Sequence, residues 1–414
     1  MQHDREVVIV DCIYDIPNKA SLGNAAVKTI INENKDILKG RLNEMEKLQE
    51  TEITFNESFH GVFYETIDER FPLENISLDK KKYLISSEKI TLSLLNSLLK
   101  RNDIDQKIDQ KKGFLLTLGS ANTDSLSKYQ LIECNGETLD QNFELADPLG
   151  YLKLLDYQGA FAVESISEAS TSGIASLYNA YIKIKEGAFD TAVVGGASAV
   201  TFPVPFEFSQ FGIGDERFVE PFEEDTKGRY FSEGGAVFLL KEKQQAEKDG
   251  DQILAEIKDI SSGTMGNVVV NRRAVKKMVE RSFSKAGVAS DANIVVELYG
   301  RGNEVDDAAE FSLVKNLKKT YSNLKGGFFK EDIHYVVGYY SLLGLCRMLD
   351  TENKKNGKLI KEPNHLIGQV DEALWTDQFE EANLISILAY SMYGNMFNLL
   401  IERGSAMTEG SEAS

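Results

Sequence analysis

The chain has 414 residues, 65 of them acidic and 46 basic, so its formal net charge is −19. This charge argues against nucleic acid and anionic membrane surfaces as partners, because both are bound through basic patches. A hydrophobic fraction of 42% with only 7 prolines excludes a disordered chain. No apolar run reaches the roughly 18 residues of a membrane span, and no signal-peptide pattern is present. The three cysteines, Cys12, Cys134 and Cys346, lack metal-ligand spacing, and we expect reduced thiols in a cytoplasmic protein.

The first half of the sequence predicts alternating strands and helices. Residues 6–14 are a β-branched apolar run of buried-strand length, residues 81–101 carry apolar positions at helical spacing, and residues 113–120 predict another strand. A strand-like stretch at 161–167 then leads into a helix that begins at Ser170. Further strands are predicted by the small-residue run 189–200 and by the apolar run 234–243.

The second half repeats this alternation. The sequence predicts a strand at 253–263, a helix through Lys277, a strand at 293–300, a helix at 306–321 and a final strand at 396–404. Two similar series of strands and helices predict an α/β fold with two related halves, residues 1–252 and 253–404. Residues 405–414 are small and acidic, which predicts a disordered tail or a cloning remnant.

The segment around Ser170 resembles the nucleophile segment of β-ketoacyl-ACP synthases, the ketosynthases of fatty-acid and polyketide synthesis. In that family an A-C-[ST]-S turn opens a helix, and a Gly-Gly strand follows. Ser170 stands at the position of the family's cysteine. The residues that match the turn and the strand are Ala169, Thr171, Ser172, Gly195 and Gly196.

Four further segments resemble the same family, in the same order along the chain. Residues 221–257 are similar to the family's PFD…DG…GEGAG segment, and residues 296–307 to V-x-A-H-G-T-G-T-x-x-x-D. Residues 334–344 are similar to K-S-x-x-G-H, and residues 390–402 to a glycine-rich loop. The resemblance covers nearly the whole chain. It implies the thiolase fold, in which two similar α/β halves pack as five layers, and a dimer.

The groups that the family's condensation reaction needs are missing from this chain. Decarboxylative condensation needs a thiolate at a helix N-terminus, together with two imidazoles that stabilise the developing enolate. Matched residue by residue, these three positions are Ser170, Tyr299 and Tyr339. We therefore expect no catalytic residue to be active in the family's ordinary reaction.

Other family motifs have also changed. Arg301 and Asn303 stand at the two threonines that, in the family, hydrogen-bond the phosphopantetheine arm of the acyl carrier protein. His334 stands at the motif lysine. Side chains replace the family's glycines in the loop near the C-terminus, at Met392, Tyr393, Asn395 and Met396.

Two roles for Ser170 are open at this point. As an N-cap, its oxygen would accept from a free helix N–H group and stabilise the helix by about 1 kcal/mol. As a nucleophile it would need a base, which His334 and Glu168 could supply as a Ser–His–carboxylate arrangement. A carboxylate next to Ser170 disfavours an anion there, so we predict the cap.

A ketosynthase that keeps its fold without its catalytic groups resembles the chain length factor of type II polyketide synthases. The resemblance implies a non-catalytic subunit that forms a heterodimer with an active ketosynthase and shapes the tunnel that controls polyketide chain length. It implies no cofactor of its own, because an acyl carrier protein delivers phosphopantetheine-bound acyl chains to the partner. Many members of that family carry glutamine where this chain has Ser170. Residues 117–133 match the region that lines the tunnel, and Leu126, Tyr129 and Leu131 are candidates for its gate or for buried packing.

The strand before Ser170 is the candidate dimer interface, because in the family it pairs with its counterpart across the two-fold axis. Its candidate residues are Val163, Glu164, Ile166 and Glu168. The two glutamates are an even number of residues apart, which places them on one face of a continuous strand. In a homodimer their charges would repel near the axis, so they could favour a heterodimer, unless both are solvated or paired with bases.

Two other functions are compatible with the sequence. One is a serine-dependent acyltransferase or thioesterase on a thiolase fold, which needs Ser170 and His334 within hydrogen-bond reach. The other is an acyl-binding or scaffold protein with no ketosynthase partner. A neighbouring gene that encodes a ketosynthase with an intact cysteine and two histidines would distinguish the last of these from the chain length factor.

Overall fold

The computed structural model describes residues 5–17, 61–62, 67–81, 84–104, 114–119, 152, 154–157, 161–200, 220–226, 228–266, 268–331, 333–350, 356–380 and 382–404. The strands numbered among these residues are β1 (Val7–Asp15), β2 (Gly61–Val62), β3 (Phe114–Gly119), β4 (Phe161–Ile166), β5 (Thr191–Ser198), β6 (Phe231–Ser232), β7 (Gly234–Glu242), β8 (Ala255–Thr264), β9 (Ile294–Glu297), β10 (Leu324–Gly327), β11 (Leu384–Tyr390) and β12 (Asn395–Arg403). The helices are α1 (Ile67–Arg70), α2 (Leu78–Lys81), α3 (Ser86–Arg101), α4 (Ser172–Lys185), α5 (Lys243–Asp249), α6 (Arg272–Lys285), α7 (Glu304–Leu317) and α8 (Tyr340–Leu349).

Ten of these strands form two similar half-sheets. The strand order is β10-β9-β11-β12-β8-β1-β7-β5-β3-β4. In the first half β4, β3 and β5 are parallel, and β7 and β1 follow antiparallel. In the second half β10, β9 and β11 are parallel, and β12 and β8 follow antiparallel. The two halves join where β1 pairs with β8, and Val7 lies opposite Ile257 in this pairing. Counted outward from this seam, the two halves have the same order of antiparallel and parallel strands.

The helices complete five layers. Helix α3 packs on the outer face of β1, β5 and β7, and α6 packs on β8 and β12 with α7 beside it. Helices α4 and α8 contact each other between the half-sheets, α4 against β3, β4 and β5, and α8 against β11 and β1. One hydrophobic core lies under α3, and the larger one contains α4, α8 and the second half. Within the described residues no helix is long and apolar enough to cross a membrane.

Helix α4 shows why this sequence forms the inner layer. Its apolar positions recur at helical spacing, and Ile174, Leu177, Ala180 and Ile184 are fully or almost fully buried. Gly173 allows the close approach of α8, because a Cβ there would lie 2.6 Å from the carbonyl oxygen of Gly338. The backbone N–H of Gly173 donates to that same oxygen at 2.9 Å. The inner helices therefore meet at their N-terminal ends, where the family's motifs lie.

Candidate functional site

Ser170 lies inside a short turn and does not cap the helix. A 3₁₀ turn spans Ala169–Thr171, α4 begins at Ser172, and Thr171 is its N-cap residue, without a side-chain cap hydrogen bond. The Ser172 hydroxyl accepts from the backbone N–H of Glu168 at 2.9 Å and donates to the Ala169 carbonyl at 2.8 Å. The predicted cap role of Ser170 is wrong, because an extra turn separates this residue from the helix and neighbouring hydroxyls hold that turn.

The residues of the proposed Ser–His–carboxylate arrangement point to different partners. Among the described residues no hydrogen bond joins the Ser170 hydroxyl to either ring nitrogen of His334, and the buried His334 ring packs on Tyr230 with centroids 5.9 Å apart. The Glu168 carboxylate accepts from the side-chain amide of Asn395 at 2.9 Å, at the start of β12. The structure thus joins the Ser170 turn to the loop near the C-terminus, without forming the arrangement that a serine nucleophile needs.

Tyr339, at the second histidine position, binds the opposite half-sheet. Its side chain is fully buried, and its hydroxyl is hydrogen-bonded to the carbonyl of Gly119 at the end of β3 and lies 3.3 Å from the carbonyl of Gly195 in β5. Gly196 makes room for it, because a Cβ at that residue would overlap the Tyr339 hydroxyl. The phenol therefore directs its one proton to backbone carbonyls, and the ring occupies the space between the halves.

Tyr299, at the first histidine position, belongs to a buried cluster of tyrosines. Its hydroxyl lies 3.1 Å from that of Tyr335, and its ring meets those of Tyr335, Tyr340 and Tyr390 edge to face. The guanidinium of Arg229 lies 4.5 Å from the centre of the Tyr340 ring. Burial raises the pKa of Tyr299 well above its usual value. Aromatic packing thus replaces the imidazole that would hydrogen-bond a thioester oxygen.

Two buried carboxyl groups hold the loop that follows β9. Asp307, which matches the family's motif aspartate, accepts from the backbone N–H of Phe222 at 2.8 Å and of Gly302 at 3.2 Å. Glu310, one turn further along α7, accepts from the backbone of Tyr299 at 3.1 Å and of Gly300 at 2.8 Å. Burial raises the pKa of Asp307 to about 7 and that of Glu310 to about 8. These carboxyls position the backbone of the degenerate motif.

Arg301 and Asn303, at the two threonine positions, make contacts within the protein. The Arg301 guanidinium donates to the carbonyls of Val268 at 2.6 Å and Ser391 at 2.7 Å, and pairs with Asp306 at 3.1 Å. Asn303 caps α7, because its side-chain oxygen accepts from the backbone N–H of Asp306 at 2.9 Å. Arg301 therefore ties three loops together at the place where the family's threonines would hold a phosphopantetheine arm.

An ion pair that the sequence analysis missed lies beside this site. Glu297 in β9 and Lys330 are both fully buried and form a salt bridge. Lys330 also donates to the carbonyl of Leu298 at 2.8 Å, and Glu297 accepts from the backbone N–H of Phe329 at 2.9 Å. Burial raises the pKa of Glu297 and lowers that of Lys330, and the partner's charge opposes both shifts. The lone acidic residue in the apolar run 294–299 was the available signal, since a buried charge needs a partner.

Strand β4 contains three of the four candidate interface residues, Val163, Glu164 and Ile166. Val163 and Ile166 in β4 are partly buried, and Glu164 pairs with Lys183 at 2.6 Å and also binds Asn179. Strand β4 ends before Glu168, so the alternation that placed both glutamates on one face does not reach that residue. The prediction that both glutamates lie on one face of a continuous strand is therefore wrong, and Glu164 has the cationic partner Lys183, whereas Glu168 accepts from the neutral amide of Asn395. The heterodimer itself stays a prediction. The tunnel candidates Leu126, Tyr129 and Leu131 lie outside the described residues.

Comparison with known sequences identifies the region around Ser170. Residues 157–246 match the family model "Beta-ketoacyl synthase, N-terminal domain". The chain is 26% identical over 213 residues to polyketide synthase PksN of Bacillus subtilis (strain 168), a match that covers 50% of this chain and 4% of that protein. It is 26% identical over 193 residues to reducing polyketide synthase FUB1 of Gibberella fujikuroi, which covers 45% of this chain and 8% of that protein. The chain therefore matches a small part of each relative.

Solved structures match nearly the whole chain. The ketosynthase from module 6 of the bacillaene synthase of Bacillus subtilis 168 aligns with a TM-score of 0.72 at 16% identity, over 97% of this chain and 72% of that one. The ishigamide ketosynthase/chain length factor aligns with a TM-score of 0.66 at 15% identity, over 97% of this chain and 99% of that one. A type II acyl-carrier protein–ketosynthase complex, AntDE:AntF, contains a chain that aligns with a TM-score of 0.69 at 14% identity, over 97% and 100%.

These matches agree with the two half-sheets and the five layers described above. Ketosynthases of this kind have the thiolase fold, so the predicted fold class is confirmed. The family model covers the segment in which Ser170 replaces the cysteine, and the remaining motifs follow in family order. The chain therefore resembles the ketosynthase family in sequence over residues 157–246 and in fold over nearly its whole length.

Proposed function

We propose that the chain is a non-catalytic ketosynthase-like subunit of the chain length factor type. It pairs with an active ketosynthase of a type II polyketide synthase and shapes the tunnel in which the polyketide grows. The observation that carries this proposal is that tyrosines with contacts inside the protein stand at the family's two catalytic histidine positions. Tyr339 directs its hydroxyl to the backbone of the first half, and Tyr299 lies within a tyrosine cluster, so both positions serve the packing of the protein.

A tunnel-shaping role is compatible with these losses. A tunnel binds an acyl chain through shape and apolar surface, so the loss of the thiol and both imidazoles does not impair it. Condensation, by contrast, requires groups whose hydrogen bonds to the reacting atoms are stronger in the transition state than in the ground state. A solved neighbour whose name includes a chain length factor, the ishigamide ketosynthase/chain length factor, aligns over almost its full length. That agreement supports a whole-chain role of this kind.

Carrier-bound substrates enter the proposal through the partner. An acyl carrier protein delivers phosphopantetheine-bound acyl chains to the partner's cysteine, and this subunit needs no cofactor of its own. The contacts of Arg301 support this proposal, because the side chain at the position of a phosphopantetheine-binding threonine donates instead to the carbonyls of Val268 and Ser391. Leu126, Tyr129 and Leu131 are the proposed length-setting residues.

Strand β4 is the proposed site of heterodimer formation. It stands at the end of the strand order of the described residues, beyond β3. Ala162, Val163 and Ile166 are only partly buried there, and burying them against a partner strand would remove apolar surface from water. An edge strand with such residues favours pairing with another chain.

Co-expression with a ketosynthase that retains its cysteine and two histidines tests this function. The two genes would be expressed together, with the affinity tag on this chain only, and the eluted protein measured by native mass spectrometry. We expect a 1:1 complex. A homodimer or a monomer of this chain would contradict the proposal.

A pair of variants separates the interface from general effects of charge. Val163→Asp in β4 should reduce recovery of the complex at least tenfold, because it places a carboxylate in the proposed apolar contact. Lys248→Asp, at an exposed residue of α5, should leave recovery unchanged. Equal recovery of both variants would show that β4 is not the interface, even where the complex itself forms.

A further inference from the structure

A cleft of about 380 Å³ lies at the end of the second half-sheet that is opposite to the loop carrying Tyr299. Strand β9 begins at this cleft with Ile294 and ends at Glu297, just before that loop. The parallel strand β10 also begins at the cleft, and Lys318, the C-cap residue of α7, lies in its wall. The cleft is therefore separate from the degenerate motifs of the ketosynthase family.

Backbone hydrogen bonds hold the walls of this cleft. On one side a segment of extended chain covers β10, because the backbone N–H of Gly326 donates to the carbonyl of Leu374, and that of Thr376 donates to the carbonyl of Gly326, both at 2.9 Å. On the other side the turn after α7 is joined to the loop before β9, since the backbone N–H of Ser322 donates to the carbonyl of Ser290 at 2.8 Å. The fold alone thus forms the cleft.

The lining of the cleft is basic, although the chain as a whole has a net charge of −19. None of the ten described residues that line it is acidic, and two of them, Lys318 and Lys325, are basic. The ammonium of Lys318 donates to the carbonyls of Ser322 at 3.0 Å and Leu324 at 3.1 Å, and it forms no salt bridge with any residue that the structure describes. Neutral oxygens therefore hold this cation in place without neutralising its charge.

The two lysines of the lining repel each other. Partial burial and the charge of Lys325 lower the pKa of Lys318, and the charge of Asp371 opposes this shift. An anion bound between two ammonium groups replaces their repulsion by two attractions, and a dianion gains more from this than a monoanion does. Lysine binds phosphate as a point charge, and Asn293 adds a side-chain amide to the lining.

We propose that this cleft binds the phosphate group of a small molecule between Lys318 and Lys325. Its volume of about 380 Å³ lies at the lower end of the range for small-molecule sites, about 300–1,000 Å³. A free phosphate ion and a small phosphate monoester both supply the chemistry that the two lysines recognise. The site is distinct from the proposed tunnel and from the proposed interface at β4.

Isothermal titration calorimetry of the full chain at low ionic strength tests this site, with inorganic phosphate as the probe. We expect saturable binding at one site per chain. Acetate, which carries a single charge, should bind at least about tenfold more weakly. Absence of saturable phosphate binding, or equal binding of acetate, would overturn the proposal.

Two double variants that remove the same charge show whether the cleft is the binding site. Lys318→Met with Lys325→Met should weaken phosphate binding at least about tenfold, because both charged donors are lost. Lys315→Met with Lys319→Met removes two exposed lysines of α7 and the turn after it that do not line the cleft, and it should leave binding unchanged. Equal binding by both double variants would contradict the assigned site.

A third variant fills the cleft without removing charge. Ala373 lines the cleft and is exposed, so Ala373→Trp should block phosphate binding while the circular dichroism spectrum stays that of the parent protein. Unchanged phosphate binding in this variant would contradict the assigned site, even where the lysine variants fail to fold.

A titration with glycerol 3-phosphate distinguishes the two sources of the phosphate group. Tighter binding than that of inorganic phosphate identifies a phosphate monoester as the ligand class, and equal affinity identifies the free ion. No binding of either compound would overturn the proposal. All these measurements use this chain alone, so their outcomes are independent of the co-expression experiment.

Discussion

Lys330→Met should lower the free energy of unfolding by about 3–5 kcal/mol. Lys330 and Glu297 are both fully buried, and the substitution would leave the Glu297 carboxylate with the backbone N–H of Phe329 but without its cationic partner. An unpaired charge in this environment costs far more than the pair contributes when intact. Urea unfolding followed by circular dichroism would measure the change.

Two controls make this prediction specific. The double variant Glu297→Gln with Lys330→Met should recover much of the loss, because it removes the unpaired charge while keeping side chains of similar size. Lys276→Met, which breaks the partly exposed i,i+4 pair with Glu280 in α6, should change the free energy of unfolding by less than about 0.5 kcal/mol. A loss in Lys330→Met as small as that in Lys276→Met would contradict the assigned role of the buried pair.

Gly196→Ala should lower the free energy of unfolding by about 3–5 kcal/mol. The new Cβ would overlap the Tyr339 hydroxyl, and the φ of Gly196, +139°, is one that other residues rarely adopt. Combining it with Tyr339→Phe removes the overlapping oxygen. The double variant should therefore be more stable than the sum of the two single losses predicts.

The single variants give the reference values for this cycle. Tyr339→Phe alone should cost about 1–3 kcal/mol, because it removes the donor to the buried carbonyls of Gly119 and Gly195. Gly250→Ala, with a positive φ but no atom within 4 Å of the added Cβ, should cost only about 1 kcal/mol. Strictly additive losses in the double variant would show that Tyr339 does not fill the space in front of Gly196.

The alternation of strands and helices could be predicted from local sequence, but two strands of the ten-stranded sheet, β10 and β11, were not predicted. Strand β10, Leu324–Gly327, contains two glycines and resembles a turn, and only its parallel pairing with β9 makes it a strand. Strand β11, Leu384–Tyr390, lies between β9 and β12 in the second half-sheet. It pairs with β12 directly after it and with β9 far earlier in the chain, and periodicity does not report the second, long-range pairing.

The positions of the site residues could be predicted from the order of the family's motifs. Their long-range contacts could not be predicted. Ser170, Tyr299 and Tyr339 were found by position in the family's motifs, yet their partners were not. The hydroxyl of Tyr339 binds a strand more than half the chain away, and Arg301 joins loops on either side of it. The cap prediction for Ser170 failed because a 3₁₀ turn, which the sequence does not distinguish from a helix start, precedes α4.

Acyl transfer to the two subunits tests most directly whether this chain is non-catalytic. The complex of this chain with its active ketosynthase would be incubated with acyl carrier protein loaded with a short acyl chain. Intact-mass spectrometry would then measure each subunit. We expect an acyl adduct on the partner's cysteine and an unchanged mass for this chain. An acyl adduct on Ser170 of this chain would contradict a non-catalytic role.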